Sequence, residues 1–171
     1  MTQTTPKLHL VCGKAASGKS TLTAKLGQVA GTIVIAEDDW LATLFGDQMS
    51  SISDYARCAA RLRDVMGPHV VSLLKAGLSV ALDFPANTIA ARAWMRGIAE
   101  DGHATAELHY LDVPDEICKA RLRARNAGGE HPFSVTNEQF DTLSSYFVAP
   151  GPDEGFDIMH HRADDGTPNP D

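Results

Sequence analysis

The sequence has few cysteines, no long apolar run and no excess of basic residues, and each shortage excludes a class of protein. Its 171 residues contain 3 cysteines, an odd number in which no pair shows metal-ligand spacing. Reduced and mostly buried thiols are therefore expected. No apolar run approaches the length of a membrane span, and Met1 to Lys7 lacks the apolar core of a signal peptide. We expect a cytoplasmic protein that does not enter a membrane.

The charge balance is acidic. Lys and Arg total 15 against 22 Asp and Glu, which gives a formal net charge of −7. Because proteins that bind nucleic acids favour basic faces, this balance disfavours a nucleic-acid partner. The length and an apolar content of 43% suit one packed globular domain rather than two. The basic residues are unevenly spread, and one crowded group is Lys119, Arg121, Arg123 and Arg125.

A glycine-rich segment is the strongest signal that the sequence does contain. Gly13-Lys14-Ala15-Ala16-Ser17-Gly18-Lys19-Ser20-Thr21 fits the pattern G-x-x-x-x-G-K-[ST], between a predicted strand and a predicted helix. In that context the backbone amides and the positive end of the helix converge on phosphate oxygens. Lys19 would reach the β- and γ-phosphates, and the Ser20 hydroxyl would coordinate Mg²⁺. An ordinary strand-to-helix turn is the alternative, and the context favours a nucleotide site.

Strands and helices are predicted to alternate throughout, a pattern typical of a parallel sheet covered on both faces. The predicted strands are 8–12, 32–36, 79–82, 107–113 and 156–159. The predicted helices are 21–29, 40–45, 53–76, 88–100, 114–125 and 137–147. For the third of them, Ser53 and Asp54 suit the N-cap region and Gly77 suits a C-terminal stop. Residues 1–161 then form a single domain with a small lid at about 121–135. The polar tail 162–171 is expected to be flexible.

Acidic residues follow the second and third predicted strands. Glu37-Asp38-Asp39 lies at the carboxyl end of the second strand, the edge where an open parallel sheet binds ligands. We favour Asp38 as the base that accepts a proton from an attacking hydroxyl, with Asp39 as the alternative and as a candidate substrate contact. These acids could instead hold Mg²⁺ through water or only cap the helix at Trp40. Asp83 is predicted to be a water-mediated Mg²⁺ partner, against the alternative of a plain turn residue.

Two arginines and a polar turn are further candidates. Arg121 and Arg125 are four residues apart, so they share one helix face beside a Gly-rich segment. They suit a lid that closes over phosphates and neutralises transition-state charge, although a solvated basic helix end is the alternative. Asn87 and Thr88 either cap the next helix or contact a substrate. His131 and the pair at 160–161 predict no metal site, because no third ligand lies nearby in sequence.

These motifs occur in the order seen in small P-loop kinases. The chain resembles bacterial ATP-binding proteins of the zeta-toxin and chloramphenicol-phosphotransferase-like group, often described as AAA family ATPases, over about Leu8 to His160. The resemblance implies a three-layer α/β fold of the nucleoside-monophosphate-kinase type, with a five-stranded parallel sheet in the order 2-3-1-4-5. The segments that carry it are Gly13 to Thr21, Asp38-Asp39-Trp40, Asp83, Arg121 to Arg125 and Pro150 to Gly155.

The resemblance also implies cofactors and residue roles. ATP and Mg²⁺ are the implied cofactors, with Lys19 and Asp38 at the reacting groups and Arg121 and Arg125 as lid arginines. The Pro152-Asp153-Glu154 loop would lie near the adenine, which makes Asp153 a nucleotide contact.

One further comparison bears on the acceptor. Residues 82–88 are similar to the Leu-Asp-Gly-Phe-Pro-Arg-Thr segment of adenylate kinases, but the arginine that grips the acceptor's phosphate is absent. Asn87 lies in its place or next to it, and Arg92 could substitute as a substrate contact. An acceptor without a phosphate, such as a small hydroxylated molecule, is favoured.

Phosphoryl transfer from ATP to a hydroxyl is therefore the leading function, in a monomer or small homo-oligomer. The alternatives are a nucleotide-sugar or nucleic-acid-end kinase of toxin type, or an ATP-binding protein or ATPase without kinase activity. A GTPase is disfavoured, because the sequence lacks an Asn-Lys-x-Asp-like guanine reader.

Overall fold

The computed structural model describes residues 5–129 and 134–163, which contain a five-stranded sheet. Its order in space is β2-β3-β1-β4-β5, and every neighbouring pair is parallel. This confirms the predicted fold class and strand order. The strands are β1 (Lys7–Cys12), β2 (Thr32–Ala36), β3 (Ser79–Pro85), β4 (Thr105–Asp112) and β5 (Asp157–Arg162).

Helices cover both faces of the sheet. One helix, α1, packs against β1, β2 and β3, while α3 packs against β3 and α4 packs against β1 and β4. Two short 3-10 turns occupy Gly46–Gln48 and Pro152–Glu154. In the part of the chain that the structure describes, no helix is long and apolar enough to cross a membrane. The helices are α1 (Lys19–Leu26), α2 (Glu37–Phe45), α3 (Ile52–Lys75), α4 (Ile89–Asp101), α5 (Asp115–Gly128) and α6 (Asn137–Ser145).

Capping residues set several helix ends. The Ser51 side chain accepts a hydrogen bond from the backbone of Asp54 and starts α3, two residues before the predicted cap region. Gly77, with φ of 86°, follows α3 in the left-handed conformation that glycine adopts easily, as the predicted stop requires. Thr88 caps α4 by accepting from the Ala91 N–H, which confirms one of its two predicted roles.

The main core lies between the central strands and the pair α3 and α4. Leu10 of β1 and Leu82 of β3 are fully buried there, together with Met66 of α3 and Met95 of α4. All three cysteines are buried and unpaired, as predicted. A second, smaller cluster joins α5 to α6 and consists of Cys118, Leu122 and Phe140.

Most boundaries differ from the prediction by a few residues, and three of the differences bear on the site. The second helix begins at Glu37 rather than at Trp40, so its acids lie in the first helical turn, where negative charge interacts favourably with the helix dipole. The third strand continues past Asp83 to Pro85, and α5 continues past Arg125 to Gly128. Part of the predicted lid, 130–133 with His131, and the tail from 164 onward lie outside the described residues.

Candidate active site

The glycine-rich segment forms a tight loop between β1 and α1. A Cβ atom at Gly13 would stand 2.4 Å from the Ser17 Oγ and 3.1 Å from the Leu111 carbonyl oxygen, so a larger residue does not fit without a shift. Gly18 has φ of 103° and immediately precedes Lys19, the first residue of α1. This conformation favours glycine and turns the chain so that the helix begins directly at the loop.

The Lys19 ammonium lies inside this loop. Its Nζ donates hydrogen bonds to the carbonyl oxygens of Gly13, at 2.7 Å, and Lys14, at 2.8 Å. Burial lowers the pKa of Lys19, while the charges of Asp83 and, more weakly, Asp38 oppose that shift. One partly buried cation therefore interacts with carboxylates from two other elements, β3 and α2.

The three acids at the start of α2 have different surroundings. Glu37 is buried, and its carboxylate accepts a hydrogen bond from the Tyr55 hydroxyl at 2.6 Å and lies 3.4 Å from the Arg63 guanidinium. Burial raises the pKa of Glu37. Asp38 is half-buried and turned so that its charge acts on both Lys19 and Arg125, whereas Asp39 is exposed. Glu37 thus anchors α2 to α3, and Asp38 is the member of the three that faces the loop.

Two oxygen donors predicted to hold a metal lie near the same loop. Ser20 is exposed in the first turn of α1, and Asp83 is half-buried opposite Ala36 in the register of β3 with β2. Hydroxyl and carboxylate oxygens are the ligand type that Mg²⁺ prefers, so the residues present fit that ion.

The α5 helix is fixed directly above the loop. Ala15 and Ala16 pack against the small cluster formed by α5 and α6, and the Lys14 ammonium contacts the Asp115 carboxylate at 2.5 Å. These contacts hold α5, which carries the predicted lid arginines Arg121 and Arg125, against the glycine loop. The Arg121 guanidinium lies 3.4 Å from the Ser17 carbonyl oxygen.

Arg125, one turn further along α5, is half-buried. Its Nε is buried without a hydrogen-bond partner. Burial lowers the pKa of Arg125, and the charge of Asp38 opposes this shift. The guanidinium therefore stands between the lid helix and the acid at the start of α2.

Asn87 has a position that sequence reasoning did not foresee. Its amide makes two hydrogen bonds to the backbone of Gly13: the Oδ1 accepts from the Gly13 N–H at 2.9 Å, and the Nδ2 donates to the Gly13 carbonyl at 2.8 Å. The side chain therefore fixes the first residue of the loop, and Thr88 rather than Asn87 caps α4. With both ends of the amide engaged, we do not carry forward a substrate contact by Asn87.

Arg92 is also held away from any substrate. Its side chain is 0% exposed, and it donates to both carboxylate oxygens of Glu154, at 2.7 and 2.8 Å. Its Nη1 donates to the carbonyl oxygens of Ala86 and Val148, each at 2.9 Å. The predicted role of Arg92 as a substitute substrate contact does not fit this placement, because the guanidinium joins α4 to the segment before β5.

Asp153 directly precedes Glu154 in that segment. It is exposed in the 3-10 turn that precedes β5, beside Ile89, Ala93 and Arg96 of α4. The role of Asp153 as a nucleotide contact near the adenine stays a prediction.

The comparisons with known proteins agree with this architecture. The fold and the glycine loop define a P-loop protein with a kinase-like fold. The sequence matches the AAA_33 family, described as an AAA domain, over residues 8–150, and the chain belongs to that family. No curated protein resembles the sequence closely enough to count as a match.

Several solved structures share the fold at low sequence identity. A candidate kinase from Chloroflexus aurantiacus has 18% identity and a TM-score of 0.74, with 92% of this chain and 85% of that chain covered. The APS kinase of Mycobacterium tuberculosis, solved with AMPPNP and APS, has 21% identity and a TM-score of 0.62, with 93% and 89% covered. A sugar kinase from Janibacter has 18% identity and a TM-score of 0.60, with 92% and 86% covered.

Proposed function

We propose that this protein is a kinase that transfers the γ-phosphoryl group of ATP to a hydroxyl group of a small-molecule acceptor, with Mg²⁺. The observation that carries the proposal is the convergence of charges around the glycine loop. Lys19, Asp38, Asp83 and Arg125 come from four different elements: the charges of Asp38 and Asp83 both act on Lys19, and that of Asp38 also acts on Arg125. Phosphoryl transfer needs such a set, because its catalysis consists mainly of positioning and of neutralising developing charge.

Nucleotide binding is the first step of the proposal. The loop amides and the N-terminus of α1 receive the phosphates, and Lys19 exchanges the Gly13 and Lys14 carbonyls for phosphate oxygens. Ser20 and Asp83 hold Mg²⁺, which supplies charge neutralisation at the phosphates when bound. Arg121 and Arg125 act as lid arginines over the phosphoryl group, since their helix is packed on the loop itself.

Asp38 is the proposed general base. It is half-buried, its charge acts on Lys19 and Arg125, and its carboxylate would accept the proton of the acceptor hydroxyl. Asp39 is exposed beside it and is retained as a substrate contact at the entrance of the site.

An acceptor without a phosphate group is proposed for two reasons. The arginine of the similar adenylate kinase segment is absent, and Asn87 near its place is used to hold Gly13. Arg92, the candidate substitute, is buried against Glu154. A nucleotide-sugar acceptor remains the alternative, while a net charge of −7 disfavours the end of a nucleic acid.

The test compares Lys19→Ala with Lys25→Ala, an exposed lysine in the last turn of the same helix. Acceptor-dependent ADP release is measured with Mg·ATP and a panel of sugars, nucleosides, nucleotide sugars and 5′-hydroxyl oligonucleotides. Lys19→Ala should lose detectable turnover and keep its fold by circular dichroism, while Lys25→Ala keeps full activity. Wild-type protein without affinity for Mg·ATP would overturn the proposal. ADP release that no acceptor stimulates would indicate an ATPase instead.

A further inference from the structure

Three metal-ligating side chains meet on the strands β1 and β4, within the sheet rather than at the edge that carries the glycine loop. His9 of β1 is paired in register with Glu107 of β4, and His109 follows two residues later on the same face. Only 7% of His9 and 4% of His109 is exposed, and the Glu107 side chain is 14% exposed. The proposed kinase reaction uses none of these residues.

The three ligand atoms form a nearly equilateral triangle. The His9 Nδ1 lies 3.3 Å from the His109 Nε2, and each of these nitrogens lies 3.3 Å from the same oxygen, Oε1 of Glu107. Bonds of about 2.0–2.2 Å from a tetrahedral zinc ion place its ligand atoms about 3.3–3.6 Å apart. The observed spacing is that of three corners of a zinc tetrahedron.

Hydrogen bonding alone gives a weaker account of this triangle. Each of the three atoms has two neighbours at 3.3 Å, whereas a ring N–H can point well at only one acceptor. A ring nitrogen that carries no proton presents a lone pair to the centre of the triangle instead. Lone pairs that converge on one point match the requirement of a cation.

Outer contacts orient the ligands in the manner typical of metal sites. The Lys7 ammonium donates to the other carboxylate oxygen of Glu107 at 2.8 Å. The His109 Nδ1 lies 3.1 Å from the Nε2 of His161 on β5. When His109 donates its Nδ1 proton to His161, its Nε2 is left unprotonated and directed at the triangle, which is the tautomer that a metal needs.

We propose that His9, Glu107 and His109 bind one Zn²⁺ ion, with water as the fourth ligand. The ion ties β1 to β4 and, through His161, supports β5. This site is separate from the Mg²⁺ site proposed at Ser20 and Asp83, which offers only oxygen ligands, and it does not depend on kinase activity. Nitrogen donors favour zinc over magnesium at the triangle.

The test uses the untagged full-length protein, freed of metal by a chelator and titrated with Co²⁺ in excess Mg²⁺. The magnesium keeps Co²⁺ from the oxygen-only site. We expect one equivalent of Co²⁺ to give the intense visible absorption of four-coordinate cobalt, and Zn²⁺ to displace it. His109→Gln and Glu107→Gln should lose this band. His69→Gln, which removes an exposed histidine of α3, should keep it.

Thermal stability gives a second readout, in which the wild-type protein alone already tests for zinc binding. Zn²⁺ in excess should raise the Tm of wild-type protein and of Lys19→Ala, and should not raise that of His109→Gln. Absence of the band and of the Tm shift in wild-type protein would overturn the proposal. A band that persists in both triangle variants would overturn it as well, because the cobalt would then lie elsewhere.

Discussion

Asp38 and Asp39 are adjacent in sequence but differ in what their carboxylates face. Asp38 is half-buried toward Lys19 and Arg125, and Asp39 is exposed. Asp38→Asn keeps the size of the side chain and removes its ability to accept a proton. We expect acceptor phosphorylation to fall by about 10²-fold or more, with Mg·ATP affinity nearly unchanged. Steady-state kinetics on the acceptor found by the screen, together with calorimetric titration of Mg·ATP, measure the two effects.

Asp39→Asn is the matched control for this experiment, since it makes the same chemical change one residue away. It should change the KM for the acceptor more than kcat. Full activity in Asp38→Asn, or an equal loss of kcat in both variants, would contradict the assignment of Asp38 as the general base.

Asn87 offers a second experiment on a single residue. Its amide holds both polar backbone groups of Gly13, so Asn87→Ala should loosen the glycine loop. We expect Mg·ATP affinity to fall by about tenfold, the effect of about 1.4 kcal/mol of lost hydrogen bonding. The KM for the acceptor should change little, because the side chain is not a substrate contact. Equilibrium titration of Mg·ATP and acceptor kinetics separate the two results.

Thr88→Ala is the comparison variant, because it removes the cap of α4 next to Asn87 without touching Gly13. It should lower the free energy of unfolding by about 1 kcal/mol and leave nucleotide affinity unchanged. A rise of the acceptor KM in Asn87→Ala, without a loss of nucleotide affinity, would indicate that Asn87 contacts the substrate.

At the scale of the secondary-structure element, α5 determines how the lid arginines meet the loop. The helix is packed on Ala15 and Ala16, and it carries Arg121 and Arg125 on one face while Arg123 is exposed. Arg125→Ala should reduce kcat/KM by at least about tenfold, because charge at the phosphoryl group is then less well neutralised. Arg121→Ala should act in the same direction, and Arg123→Ala should not. Equal activity in all three variants would contradict a lid role for this face.

The elements themselves were largely predictable from the sequence, because their signals are local. Apolar runs marked the strands, the glycine pattern marked the loop, and Gly77 and Thr88 marked helix ends. The start of α2 was placed too late, because three acids beside a strand end are equally compatible with a turn and with a first helical turn.

What escaped prediction rests on contacts between residues far apart in sequence. Glu154 holds Arg92 from 62 residues away, and Tyr55 meets Glu37 across two helices. The proposed zinc site joins His9 to Glu107 and His109, which lie 98 and 100 positions later on the neighbouring strand. An alternating pattern, Glu107 followed by His109, was present in the sequence, yet only the strand order brings His9 beside it.

At the scale of the whole molecule, the Arg92–Glu154 pair joins the start of α4 to the segment that leads into the edge strand β5. The guanidinium is fully buried, and Glu154 also accepts from the Gly151 N–H at 3.0 Å. Arg92→Met should lower the free energy of unfolding by about 3 kcal/mol or more, because it leaves a largely buried carboxylate without its partner. Arg57→Met removes exposed contacts with the Asp54 carboxylate and the Gln48 carbonyl oxygen, and it should lower the free energy of unfolding much less than Arg92→Met does. Urea denaturation measures both values.

The same pair predicts how stability depends on pH. Hydrogen bonds from Arg92 are the largest cause that lowers the pKa of Glu154 below its ordinary value of 4.5, and burial opposes them. As the pH falls, Glu154 is therefore protonated at a higher pH in the unfolded chain than in the native state. The stabilisation from Glu154 is fully present above pH 4.5 and is lost as the pH falls from there through the lower native pKa. Arg92→Met lacks the hydrogen bonds that lower the pKa of Glu154. The difference in the free energy of unfolding between wild type and variant should therefore become smaller as the pH falls from 4.5 through the native pKa. Urea titrations of both proteins between neutral and acidic pH measure it, and a difference that stays constant would show that Arg92 contributes packing rather than charge.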